Sequence, residues 1–344
     1  MKLFLHKLRH WEYWPYQISY VPVYFLWGFY ALKSRTIFFF NASNPTIKNG
    51  GFIGESKIDI YNLIPPQYFP ETLFVKAGTS FQSMLETVVN SDIRYPLYAK
   101  PDMGLRGMGV KKITSETALE HYHAKADFDY LIQELIPFPH ETGIFYVRYP
   151  NEKTGRITGI AAKEFAIVTG DGVSTVEELA LQNPRYALQL KSLRREHGEK
   201  LQDVLPVGEQ RNIIPYGNHA RGTRFSDVAY RITPEMTAMI NDICLQIPGF
   251  YYGRLDIMYR TFEELERGEN FALVEINGAG SEPIHMYDPK HSIVYGWKEM
   301  LRHIRYMYEI SVENHKNGAP YLSHKEGMRQ YKIHLEQSKK IVNF

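Results

Sequence analysis

The chain of 344 residues predicts a mixed protein of α+β / α/β class, and three features carry that expectation. Short apolar runs of strand length alternate with helical repeats through the middle of the chain. A half-polar hairpin spans 251–277, and a glycine-bearing loop over 100–110 lies between two strands instead of opening a helix. A chain of this length buries a large core and divides into two or three subdomains.

The hairpin is read as strands over 253–259 and 270–277, joined by the polar segment 260–269. Strand side chains alternate between faces. Arg254 and Asp256 therefore share one face of the first strand, Glu275 and Asn277 share one face of the second, and Leu255, Ile257, Val274 and Ile276 point the other way. Antiparallel pairing gathers a cation, two carboxylates and a carboxamide on one patch. Oxygen donors of that kind suit Mg²⁺, which takes a few carboxylates plus phosphate oxygens. The same pattern also describes an ordinary half-polar face of a hairpin.

Composition narrows the function. A net charge of +2 with 23% charged residues gives no electrostatic pull toward nucleic acid. The single cysteine, Cys244, excludes an internal disulfide and a multi-cysteine zinc site. It lies in the apolar helical pattern 236–245, which predicts a buried thiol. No small-residue cleavage pattern follows the early apolar run, and a cytoplasmic setting is expected.

The first 40 residues are unusual. Lys2, Lys7, Arg9 and His10 precede an uncharged run over 14–32, dense in Trp, Tyr and Phe, and Lys33 and Arg35 follow it. Pro15, Gln17, Pro22 and the many ring residues weaken a spanning helix. Two readings stay open: peripheral membrane contact through residues 1–40, with basic flanks and interfacial aromatics, and an aromatic subdomain packed on the body or on a second subunit. The following loop over 41–57, with Asn-Gly-Gly turns and Glu55, Ser56 and Lys57, reads chiefly as a surface connection, with a pocket lining as the alternative.

Next, 71–77, 79–90 and 95–100 read as strand, helix, strand. In the loop beyond, Gly104, Gly107 and Gly109 would let backbone N–H groups approach phosphates, with Lys100 bringing a positive charge, a plain hairpin being the alternative. A helix over 115–124 leads to Tyr130-Leu-Ile-Gln-Glu-Leu-Ile-Pro-Phe-Pro-His-Glu141. That strand ends in a proline-rich bend fit to present backbone groups to an adenine edge. Strands over 143–148 and 156–167 follow, Lys163 on the second being either a phosphate contact or a solvated lysine. Helices are expected over 291–316 and 320–344.

From Lys100 to Pro289 the chain resembles the ATP-grasp superfamily. Glu134 and Glu141 match the adenine-strand and ribose glutamates of D-alanine–D-alanine ligases in spacing, and Gly-Arg-Leu-Asp256 and Glu275-Ile-Asn277 match their catalytic arginine and magnesium ligands. The segments 169–179, 206–209 and 217–227 are similar to cyanophycin synthetases and the glutathione synthetase module of bifunctional enzymes. The usual proline-glycine after the metal asparagine is replaced here by Gly278-Ala-Gly-Ser-Glu-Pro283.

The resemblance implies two α+β subdomains clasping ATP over 71–320; outside it stand an atypical aromatic-rich region over 1–70, read from composition as membrane-interfacial or substrate-binding, and a C-terminal helix over 321–344. It implies a carboxylate–amine ligase that forms an acylphosphate and releases ADP and phosphate. ATP would meet Lys100, Gly104, Arg106, Gly107, Gly109, Gln133, Glu134, Leu135, Ile136, Glu141 and Lys163. Asp256, Glu275 and Asn277 would hold two Mg²⁺ ions (Mn²⁺ being an acceptable substitute), while Arg254 would stabilise the tetrahedral intermediate. Arg221, the second catalytic candidate, flanks the acyl site in sequence with Arg224, where each is either a contact to a substrate carboxylate or a loop-surface arginine. Small-molecule acid and amine substrates, and a homodimer, follow by the same analogy. An ATP-grasp kinase acting on a hydroxyl and a non-catalytic ATP-binding module remain the alternatives.

Overall fold

The computed structural model describes residues 2–104, 107–214, 222–342 and 344. The expected class is the observed one: helices pack on antiparallel sheets. Strands β1 (Thr72–Val75), β2 (Leu97–Pro101), β3 (Lys111–Ile113) and β4 (Tyr130–Glu134) form a sheet in the order β1-β4-β2-β3. Helices α3 (Phe81–Val89) and α4 (Glu116–Lys125) cover it, burying Met84, Val88, Leu119 and Tyr122 against Leu97, Ala99 and Ile132. Ser80 and Ser115 start these helices by accepting from the Ser83 and Ala118 N–H groups, caps worth about 1 kcal/mol each.

A second sheet contains β5 (His140–Val147), β6 (Arg156–Glu164), β9 (Arg224–Asp227), β10 (Tyr252–Tyr259) and β11 (Phe271–Asn277), in the order β11-β10-β5-β6-β9. Helix α5 (Pro234–Leu245) lays Met236, Ile240, Ile243 and Cys244 on Ile144, Leu255, Ile257 and Leu273. Each such side chain, fully buried, contributes about 1.5–3 kcal/mol. The expected buried thiol is thus observed, and burial raises its pKa well above the usual value.

The strand expected over 156–167 divides at Phe165. Its second part, β7 (Ala166–Thr169), leaves the sheet and pairs with β8 (Gln210–Ile214) in a two-stranded ribbon. That ribbon has its own small core of Val168, Val176, Leu193, Leu205 and Ile213.

The other face of the five-stranded sheet carries α6 (Ile293–Lys316), which packs near Phe145 and Tyr252 through Met307 and Ile310. Helix α2 (Val21–Ser34) lies on α6, with Tyr30 stacked on Tyr308 at 3.8 Å between ring centroids. Helix α1 (Lys2–Arg9) precedes it. The last helix, α7 (His324–Val342), sends Ile341 into the core of the four-stranded sheet. No described helix is long and apolar enough to cross a membrane.

Candidate active site

The site starts from strand register. On β10 and β11, Arg254 stands opposite Asn277 and Asp256 opposite Glu275. Alternation then puts those four side chains on one face, with Leu255, Ile257 and Ile276 buried on the other. A bulge between Asp256 and Ile257 inserts Val274, so Leu273 enters the core where Val274 was expected. An extra residue of this kind re-aims the strand beside it. The connection expected to be a plain polar loop holds a helical turn, Phe262–Glu266, capped by Thr261.

On the far side of β10, Gly143 of β5 faces Asp256. A Cβ there would lie 3.1 Å from Asp256 Oδ1 and 3.0 Å from Arg254 Cδ. Glycine leaves room for Lys163 to reach across from β6. Its ammonium is 3.2 Å from Asp256 Oδ1 and 2.5 Å from Glu141 Oε1. Asp256 also accepts from Arg254 Nε (2.8 Å) and Nη2 (3.0 Å) and from Asn277 Nδ2 (3.2 Å). Burial opposes ionisation, yet Arg254 and Lys163 overcome it and hold the Asp256 pKa down to about 2. Lys163 is only 7% exposed, which excludes the solvated strand lysine. Burial works against its charge, and Asp256 and Glu141 still raise its pKa.

The loop read chiefly as a surface connection is part of the site. Ala279 and Gly280 donate their N–H groups to the carbonyls of Gly50 (2.8 Å) and Gly51 (2.9 Å). A Cβ on Gly278 would come within 2.3 Å of the Gly50 oxygen. The docked loop therefore explains why glycine stands at 278, directly after Asn277. Asn44 fixes the same loop by accepting from the Tyr251 and Tyr252 N–H groups.

Two side chains reach the hairpin from this loop. Lys57 Nζ pairs with Glu275 Oε1 at 2.8 Å. Burial disfavours both charges, but the pair raises the lysine pKa and lowers that of the carboxyl. Glu55 is half-buried, and its carboxyl is pushed up to about 8 by burial and then by Glu275. Neither residue was singled out firmly from sequence, because a lone Glu-Ser-Lys in a turn-rich stretch has no periodicity to declare a direction.

The glycine-bearing loop meets the hairpin at Lys57: a Cβ on Gly104 would fall 2.3 Å from its Nζ. Gly107 and Gly109 have φ of +76° and +72° and lie between β2 and β3, as expected. Lys100 is buried and donates to Gln133 Oε1 (2.7 Å) and the Tyr61 hydroxyl (2.9 Å). Tyr61 in turn donates to the Val274 carbonyl at 2.5 Å. One phenol thus ties the four-stranded sheet to the bulge of the hairpin. Burial, then the charge of Lys57, drives the Lys100 pKa down to about 7.

The remaining expected contacts are spread along the two sheets. Glu134 is exposed at the end of β4, and Leu135 and Ile136 follow it half-buried. Arg106 and Arg221 lie outside the described residues, as does all of 217–221. Arg224 is exposed and 3.6 Å from Glu164. Helix α6, which gave no chemical signal in sequence, contributes buried Glu299 and His303. The Glu299 carboxylate bonds His285 (3.1 Å), and His303 bonds Thr158 (2.8 Å).

Among the described residues no three His, Cys, Asp or Glu side chains cluster as metal ligands. The patch instead offers two carboxylates and one carboxamide, too few to cage a divalent ion but sufficient to hold Mg²⁺ against phosphate oxygens. All three are oxygen donors on adjoining positions of one face, and that chemistry fits.

No protein-family model matches the sequence, and no curated protein matches it. Solved structures do share part of its arrangement. A bifunctional glutathione synthetase from Pasteurella multocida aligns at TM-score 0.40 and 14% identity, over 73% of this chain and 35% of that one. The VanG D-Ala:D-Ser ligase from Enterococcus faecalis aligns at 0.43 and 13%, over 74% and 61%. A D-alanine–D-alanine ligase from Bacillus anthracis aligns at 0.43 and 13%, over 76% and 69%. The chain thus spans about a third of the length of the first and less than two thirds of the second. These likenesses are partial and carry no function over by themselves.

Proposed function

We propose that the chain is an ATP-dependent ligase of the ATP-grasp kind that joins a carboxylate to an amine. The observation that supports this best is the meeting of three separate segments at one patch. The hairpin presents Arg254, Asp256, Glu275 and Asn277 in direct register. Lys163 comes from β6, and the glycine-bearing loop abuts Lys57. Cations and oxygen donors converge there as a phosphoryl-transfer site requires.

Asp256, Glu275 and Asn277 are the residues to hold Mg²⁺, which supplies neutralisation of phosphate charge when bound. Lys100 and Lys163, both buried, add positive charge at fixed positions. Their low-dielectric surroundings make each charge count for more than it would in water. The substrate carboxylate takes the γ-phosphoryl group of ATP and becomes an acylphosphate, leaving ADP. The amine then attacks the acyl carbon, phosphate departs, and the nitrogen gives up a proton.

Arg254 suits the oxyanion of that second step. Its guanidinium is charged at every working pH and is already fixed by Asp256 and the Glu282 carbonyl (3.3 Å). No covalent enzyme nucleophile is needed.

The test is a carboxylate panel with ATP, Mg²⁺ and hydroxylamine. A substrate-dependent hydroxamate together with ADP supports the ligase. ADP release with a phosphorylated hydroxyl and no hydroxamate would replace it with a kinase.

A further inference from the structure

Helix α2 is apolar on every side. Its inward positions, Val23, Trp27 and Tyr30, pack on α6 and the aromatic core. Its outward positions are Val21, Tyr24, Phe25, Phe29 and Leu32, spaced so that they form one continuous stripe, and all are exposed. Phe25 is 77% and Leu32 is 82% exposed. A helix that is hydrophobic all round belongs in a core or against lipid, not against water. Helix α1 repeats the theme: Leu3, Phe4, Leu5 and Leu8 are exposed beside exposed Lys7 and Arg9. At the end of α2 stand exposed Lys33, with its ammonium 5.1 Å from the Phe29 ring centroid, and Arg35.

Charge decides what covers this face. Glu12 is the only acidic residue in the first 54, and it is buried against Arg185 at 2.5 Å. A symmetric contact made by α1 and α2 alone would set these basic residues against their own copies with no exposed carboxylate of that segment to answer them. An anionic lipid surface supplies the missing charge and an apolar layer for the rings and leucines.

We propose that α1 and the outward stripe of α2 form a docking surface for an anionic bilayer. The aromatic and leucine side chains enter the acyl boundary, while Lys7, Arg9, Lys33 and Arg35 remain among the headgroups. A cavity of about 960 Å³, lined by Gly28, Leu32, Arg35, Ile37, Tyr321 and Leu322 among others, adjoins the stripe and extends the same apolar surface. The bound protein would hold its candidate active site beside a membrane, whatever reaction that site performs.

The test is flotation of the full chain with phosphatidylcholine vesicles, with and without phosphatidylglycerol. Binding is expected only to the anionic vesicles and should fall with added salt. Phe25→Ser with Leu32→Ser should reduce it about tenfold or more, since each loses the transfer of a large apolar side chain. Lys7→Glu with Arg9→Glu should also weaken it. Thermal unfolding of each variant, expected to match the parent, shows that the fold is kept. Recovery of the parent in the unbound fraction with both vesicle types overturns the proposal. Equal binding to neutral vesicles overturns it too, as does a solution dimer that the Phe25 and Leu32 substitutions dissociate.

Discussion

The ammonium of Lys163 lies 3.2 Å from the Asp256 carboxylate, reached across the intervening strand at Gly143, and also bonds Glu141. It therefore serves two carboxylates that have little access to water. Lys163→Met strips that cation from both, and removing one partner of a buried pair costs about 3–5 kcal/mol. Urea unfolding should register a loss of that order with an unchanged slope. A loss within the range of a surface substitution would mean the lysine does not hold the site together.

Asp256 has a structural duty as well as a proposed metal-binding one. Its folded pKa of about 2 lies below the ordinary value of about 3.9. Its contribution is thus fully present above about pH 4 and is lost as pH falls toward 2, and it amounts to roughly 2–3 kcal/mol. Asp256→Asn should lower neutral-pH stability by about that amount and flatten the acid side of the stability curve. A variant as stable as the parent at pH 7, with an equally steep decline below pH 4, would contradict the assignment.

Much of this was legible in the sequence, for identifiable reasons. Alternation along 253–259 and 270–277 placed Arg254, Asp256, Glu275 and Asn277 on a face, and the observed register put them opposite one another. The helix expected over 115–124 is observed over Glu116–Lys125, with Ser115 accepting from the Ala118 N–H at its start. What escaped notice depends on distance in the chain. Lys57 meets Glu275 across more than two hundred residues, and no local pattern encodes that meeting. The bulge at Val274 was hidden because apolar residues stand at both 273 and 274. The division at Phe165 was hidden likewise, since an apolar run does not say where a strand changes sheets.

Lys100 should link nucleotide binding to proton uptake. Its pKa of about 7 reflects burial first and Lys57 second, with Glu275 and Asp102 opposing. The buried ammonium is destabilising below pH 7, and that cost fades as pH rises toward the unfolded value of about 10.4. A bound triphosphate favours the charged form, so binding draws in protons between about pH 7 and 9. Calorimetry in buffers of different ionisation heat should show that uptake, weaker affinity at the upper pH, and loss of both effects in Lys100→Met. Uptake undiminished in that variant would assign the proton elsewhere.

Whether Asp256, Glu275 and Asn277 hold Mg²⁺ beside a nucleotide, as proposed, is read by calorimetric titration with a non-hydrolysable ATP analogue. Binding should need Mg²⁺ and weaken about tenfold or more in Glu275→Gln. Affinity that is the same with and without Mg²⁺, and unchanged in Glu275→Gln, would contradict it.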